Sequence, residues 1–149
     1  MDRVRLWRHR VRVARASAIR HAHRVGVSPR SMAVERRTVG IGYLRWLRDL
    51  WVSRDNRWVR RYNRTAPKLL CIHSHEGAWN AYNPAGPYYG GLQMDSSFMW
   101  AYGADKLAKY GGRDARYWTA RDQLAVGFRA VRARGFTPWP NTARACGLL

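Results

Sequence analysis

Apolar positions follow two regimes along the chain. Between residues 3 and 25 they recur at Trp7, Val11, Ala14, Ala18, Ala22 and Val25, in steps of three and four, with arginines on the other faces. That period predicts an amphipathic helix, closed by Val25-Gly-Val-Ser-Pro29. A second stripe, Tyr43, Trp46, Leu47, Leu50, Trp51, Trp58 and Tyr62, predicts a helix over about 42–62. Its aromatics alternate with arginines. The plain expectation is that the two helices pack on each other or on the rest of the chain and keep a solvated basic face. The sharper one is a surface-binding arm whose tryptophans sit at a membrane or polymer interface. Trp51-Val-Ser-Arg54 and Trp58-Val-Arg-Arg61 echo each other weakly, without amounting to a repeat architecture.

After Thr65-Ala-Pro67 the elements shorten. Pro67 suits the first turn of a helix and predicts one over about 67–76, ended by Gly77. Residues 80–95 are rich in Asn, Pro, Gly and Tyr and read as a loop with a short hairpin around Gly90-Gly91. Asp95 or Ser96 can cap a short helix, 97–102, stopped by Gly103. Another, about 104–110, stops at Gly111-Gly112. Thr119-Ala-Arg-Asp122 is a capping box for a helix of about 120–134, with Leu124, Phe128 and Val131 as its apolar face and Gly135 at its end. A turn over 136–140 leads to a last helical turn, capped by Asn141 or Thr142, that carries Cys146. The expected fold class is α+β, mostly α. A basic helical extension, 1–65, precedes a domain, 66–149, of short helices around a small β-hairpin.

Charge sharpens that division. The 149 residues hold 28 Lys+Arg against 9 Asp+Glu, a net +19. Residues 1–64 carry 18 basic and 4 acidic side chains, net +14, and residues 65–149 carry 10 and 5, net +5. All but three of the basic residues are arginine. Such an extension favours polyanions: nucleic acid, an anionic membrane surface or an anionic wall polymer. The most apolar early run, 39–44, is far too short to span a membrane. The basic N-terminus lacks the apolar stretch of an orthodox secretory signal.

The densest chemistry lies in Cys71-Ile-His-Ser-His-Glu76. Cys71 and His75, four apart, share a helix face, which is legitimate ligand spacing. A structural zinc site needs four ligands, however, and there is no C-x-x-C pair, so no metal and no cofactor are expected. A Cys–His nucleophile lacks an orienting third group at a known spacing. The third reading is an acid. Glu76 is the only glutamate in residues 65–149 and lies about 140° around the helix from Cys71. Its helical neighbours would be Ile72, Leu69 and Trp79, and apolar surroundings are a general way to hold a carboxyl group protonated for acid catalysis. A Gly/Tyr/Trp-rich loop of the kind that stacks on sugars follows it. Cys71 and Cys146 read as a disulfide in an exported protein and as two small buried hydrophobes in a reducing cytosol.

Glu76, Trp79, Tyr88-Tyr-Gly-Gly-Leu-Gln93, Asp95, Gln123, Trp139-Pro140 and Cys146 together resemble the lysozyme-like catalytic domain of resuscitation-promoting factors and their transglycosylase-like relatives, over about 67–149. The resemblance implies a lysozyme-like fold and an enzyme, a glycoside hydrolase or lytic transglycosylase. It would cleave the β-1,4 bond between N-acetylmuramic acid and N-acetylglucosamine in peptidoglycan. Glu76 would be the general acid, with Asp95 a candidate second carboxylate and equally a helix cap. Tyr88, Tyr89, Gly90, Gly91, Gln93 and Trp139 would bind substrate, and the protein would act secreted or at the cell wall. The sequence departs from the family pattern in its first cysteine, five residues before the glutamate instead of next to it, and in the prolines of the loop 83–91. The competing reading is a non-catalytic protein binding nucleic acid or another polyanion, with a degenerate lysozyme-like domain on an arginine-rich arm.

Overall fold

A computed structural model of the chain describes residues 2–30 and 40–149; residues 31–39 of the expected extension lie outside the described residues. The chain divides into two compact units, Met1–Tyr62 and Asn63–Leu149. The fold is mostly α with one small β-hairpin, as the sequence predicts. No helix of the described residues is long and apolar enough to cross a membrane.

In the first unit, α1 (Arg3–Arg24) starts at Asp2, whose carboxylate caps the Val4 amide. It packs on the first part of α2 (Ile41–Glu76). Val11, Ala18, Leu44, Leu47 and Trp51 form the core, flanked by half-buried Trp7, Tyr43 and Trp58. The cross-contacts climb both helices together. Arg45 lies over the Trp7 ring, Asp55 accepts from Ser17 (2.8 Å) and His21 (2.6 Å), and Arg24 lies over Tyr62. The two helices therefore run parallel. Both expected stripes face inward except at Trp46, which is 51% exposed while Leu44 is buried in its place. Leu44, Leu47, Trp51 and Trp58 follow one helical face more closely than Trp46 does.

The expected break before Pro67 is absent, since α2 continues through it to Glu76. Proline removes one helical hydrogen bond, here the one to the Asn63 carbonyl. Both Asn63 and Pro67 are exposed, while Thr65, Ala66, Leu69 and Ile72 are buried. Burial of that face outweighs the local cost.

In the second unit, β1 (Tyr82–Asn83) pairs antiparallel with β2 (Tyr88–Tyr89), Tyr82 opposite Tyr89 and Asn83 opposite Tyr88. The turn joining these strands falls at residues 84–87, and a second turn, over residues 90–93 as expected around Gly90-Gly91, is closed by an antiparallel bridge between Tyr89 and Met94. Asn83 Oδ1 accepts from the Ala85 amide (3.0 Å), an Asx turn, and the Gly86–Pro87 peptide is cis. The two short helices expected over 97–110 merge into α3 (Ser96–Lys109), kinked at Gly103. A Cβ at Gly103 would stand 2.9 Å from the Trp118 ring, so this glycine bends the helix and seats an indole. A 3-10 turn (Ala115–Tyr117), α4 (Ala120–Arg134) and α5 (Pro140–Ala145) complete the unit. The Cys71–Cys146 disulfide (Cα–Cα 6.1 Å) joins α2 to the end of α5.

On α4 the buried positions are Asp122, Gln123, Ala125, Val126, Gly127, Phe128 and Ala130, while the expected Leu124 and Val131 are only half-buried. Gly127 sets this rotation, since a Cβ there would come within 2.8 Å of Leu92. The capping box at its start forms by half. Thr119 Oγ1 accepts from the Asp122 amide (3.1 Å), but the Thr119 amide donates to Tyr110 Oη instead of the Asp122 carboxylate. That carboxylate is drawn to α3, where it accepts from Lys109 (2.7 Å) and Tyr110 (2.5 Å) and pairs with Lys106 (3.2 Å).

Burial pushes the Asp122 pKa up, but hydrogen bonds from Lys109, Tyr110 and Lys106 outweigh it and hold the group at about 2, below its usual 3.8. A carboxyl group depressed in the folded state contributes stability that is complete above its unfolded pKa and lost as pH falls through the folded one. Asp122→Asn is expected to cost about 2 kcal/mol near neutrality. The difference from the parent should shrink between pH 4 and pH 2, the window set by the two values. Urea unfolding at a series of pH values measures it, and a gap independent of pH would contradict the assignment.

Candidate functional site

Glu76 is the last residue of α2, half-buried at the helix end. Its Oε1 accepts a hydrogen bond from Thr142 Oγ1 (2.9 Å) on α5. Thr142 was expected at the cap of that helix. The helix instead begins at Pro140, which places Thr142 in its interior, and Trp139 takes the N-cap position. One turn before Glu76, His73 Nδ1 donates to the Gly91 carbonyl (3.0 Å) and the imidazole stacks on Trp79 at 3.7 Å. Residues three apart on a helix share a face, so the acid and the base of the hairpin lie on the same side of α2.

The hairpin base is held from the other side by Gln123. This fully buried carboxamide accepts from the Gly91 amide (2.8 Å) and donates to the carbonyls of Trp79 (2.9 Å), Ala115 (2.8 Å) and Trp118 (3.1 Å). Gly90 and Gly91 are buried. A Cβ on Gly90 would sit 2.5 Å from Gln123 Oε1, and one on Gly91 2.5 Å from His73 Nδ1 and 2.6 Å from Trp79. Their small size therefore serves a close approach by the protein's own side chains.

The remaining expected site residues separate by role. Tyr88 is exposed on the hairpin. Tyr89 is half-buried, stacked on Tyr82, and its backbone exchanges both hydrogen bonds with Met94 (2.9 and 2.8 Å). The Arg116 guanidinium lies over both rings. Gln93 adopts a left-handed backbone (φ 48°), and its amide nitrogen donates to the Gly90 carbonyl (2.9 Å). Asp95 is exposed and caps α3, its Oδ1 accepting from the Phe98 amide (2.7 Å). Trp139, expected as a sugar-stacking surface, is buried, and its indole donates to the Leu92 carbonyl (2.8 Å). It supports the segment between the glycines and Gln93 from within the core and presents no face to a ligand.

Three features escape the sequence reading. His73, to which the sequence alone gives no role, ties the helix to the hairpin. Thr142 reaches the acid from 66 residues away, which no local pattern signals. A groove of about 530 Å³ opens beside α3, floored by Met99 and Leu107 and walled by Tyr89, Trp100 and Tyr117, and Glu76 does not line it. Trp100 is 68% exposed there. Among the described residues, the one cluster with metal-ligand character is Cys71, His75 and Cys146; with the sulfurs bonded to each other, neither is a thiolate.

Gly91→Ala must displace His73 or Trp79, and overpacking of this kind costs about 1–3 kcal/mol. The expected outcome is a stability loss in that range with a change in tryptophan fluorescence. Parent-like values in both would show that the stack does not bear on the hairpin.

A scan against protein-family models finds no match, and neither the curated proteins nor the solved structures contain a significantly similar chain.

Proposed function

We propose that residues 63–149 cleave peptidoglycan glycan strands at the bond between N-acetylmuramic acid and N-acetylglucosamine, with Glu76 as the acid. The observation that carries this reading is Glu76 itself. It is a half-buried carboxyl group at a helix end, oriented by Thr142, on the side of α2 where His73 grips the hairpin base. The family resemblance in the residues around it supplies the substrate class.

In this mechanism Thr142 holds Oε1 and the proton leaves from Oε2 to the glycosidic oxygen as the C1–O bond breaks. That step passes through an oxocarbenium-like transition state. Asp95 is engaged as a helix cap, which favours a single-acid route. The Glu76 carboxylate then takes the proton of the muramyl 6-hydroxyl as that oxygen bonds to C1, closing an anhydro ring. The exposed Tyr88 and the aromatic groove offer flat faces for sugar rings. The site of action is the cell wall.

Purified protein should release soluble muropeptides with anhydro ends, read by mass spectrometry. Glu76→Gln should lower the rate about a thousandfold with the fold intact. Asp95→Asn should retain activity, because asparagine caps a helix about as well as aspartate. Reducing ends in the products, with a collapse of activity in Asp95→Asn, would assign Asp95 a direct role and replace the single-acid route. An active Glu76→Gln would end the proposal altogether.

The first unit supports a second, auxiliary role. Its inward stripe is satisfied by helix pairing, so its many arginines are left to the outer faces of α1 and α2. It would hold the enzyme to an anionic wall polymer. Retention on purified walls should fall steeply with salt; salt-independent retention would exclude this role.

A further inference from the structure

Cys71, His75 and Cys146 bring one ligand atom each to within 4.8 Å of one another. Cys71 and His75 come from one face of α2, and Cys146 comes from the C-cap of α5. His75 Nδ1 lies 3.8 Å from Cys146 Sγ and 3.0 Å from the Cys71 carbonyl. His75 is exposed and both cysteines are half-buried, so the cluster is open to a small solute from outside.

We propose that reduction of the disulfide turns this cluster into a zinc site, with Cys71, Cys146 and His75 as three ligands and water as the fourth. A dithiol supplies the two electrons. One of its thiolates attacks a sulfur of the bridge, the second closes on the first, and the dithiol leaves as its own disulfide while Cys71 and Cys146 become thiols. Zinc then binds both as thiolates, releasing two protons, with the imidazole neutral.

The geometry needs little adjustment. Zinc–sulfur bonds of about 2.3 Å in a tetrahedron set the two sulfurs about 3.8 Å apart. With the Cα atoms 6.1 Å apart, rotation of the cysteine side chains supplies that separation. His75 Nδ1 already stands at such a distance from Cys146, and ligating zinc through it exchanges its hydrogen bond to the Cys71 carbonyl for the metal, with the ring proton on Nε2. Three ligands from two elements match the count of an open zinc site, where the earlier expectation of no metal rested on the four that a closed one requires. The coordinate bond would keep the ends of α2 and α5 together, and with them the Thr142–Glu76 pair, where the covalent bond is lost.

The full chain, oxidised or reduced and desalted, is titrated with zinc against a chromogenic chelator and with cobalt for the thiolate charge-transfer band. The reduced protein should bind one equivalent and show the band; the oxidised protein should do neither. His75→Ala should weaken binding at least tenfold and Cys146→Ser should remove the band, while His23→Ala, on α1, should change nothing. Equal uptake by both redox forms, or full affinity in His75→Ala, would overturn the proposal. If the reduced metal-free chain loses helicity, circular dichroism decides: zinc should restore it, and a reduced chain that neither binds zinc nor refolds with it overturns the proposal equally.

Discussion

One buried carboxamide organises the second unit. Gln123 is fully enclosed, and its two polar atoms meet four backbone groups on three segments: the Gly91 amide, the Trp79 carbonyl and the carbonyls around the 3-10 turn. A buried polar group of this kind costs several kcal/mol if its partners are missing and rigidifies its surroundings when they are present. Glutamine combines an acceptor and two N–H donors at the end of one short stem: the acceptor takes the Gly91 amide, and the two N–H groups are shared among three carbonyls. Once it is seated, Gly90 must be a glycine, as Gly91 must be against His73 and Trp79. Among the described residues no buried side-chain nitrogen or oxygen lacks a partner.

Around that junction the acid is held from two directions. The C-terminal turn of α2 carries His73 against the hairpin and Glu76 beside Thr142, while the disulfide binds the preceding turn to the end of α5. Covalent and hydrogen-bonded ties thus fall on one pair of elements. For the reaction proposed for Glu76, positioning by the surrounding structure is worth far more than the single bond to Thr142 taken alone.

Much of this was legible in the chain. The stripes of α1 and α2, the Thr119 cap, the Gly135 stop and the Gly103 interruption are local signals, and local structure follows them. Where the reading failed, a long-range term decided. Burial of Leu69 and Ile72 carried α2 through Pro67, and Lys106 and Lys109 drew Asp122 away from its capping box. Of the residues the sequence singles out, Glu76 and the glycine pair come to the same side of α2 through His73, but Trp139 and Gln93 turn inward to backbone carbonyls, contacts that depend on where the chain returns. The parallel course of α1 and α2 likewise has no local signature, because each stripe fits either direction.

The disulfide also has a topological consequence. Its ends are 75 residues apart, so the hairpin, α3, α4 and α5 all lie within the loop it closes. The most exposed stretch of that loop is the turn at 82–88, open to solvent throughout. A protease cutting there would leave two fragments linked through sulfur and clasped by Gln123, which joins Gly91 and Ala115 beyond the cut to Trp79 before it. The nicked lobe would remain one molecule, and the lesion would become visible only on reduction.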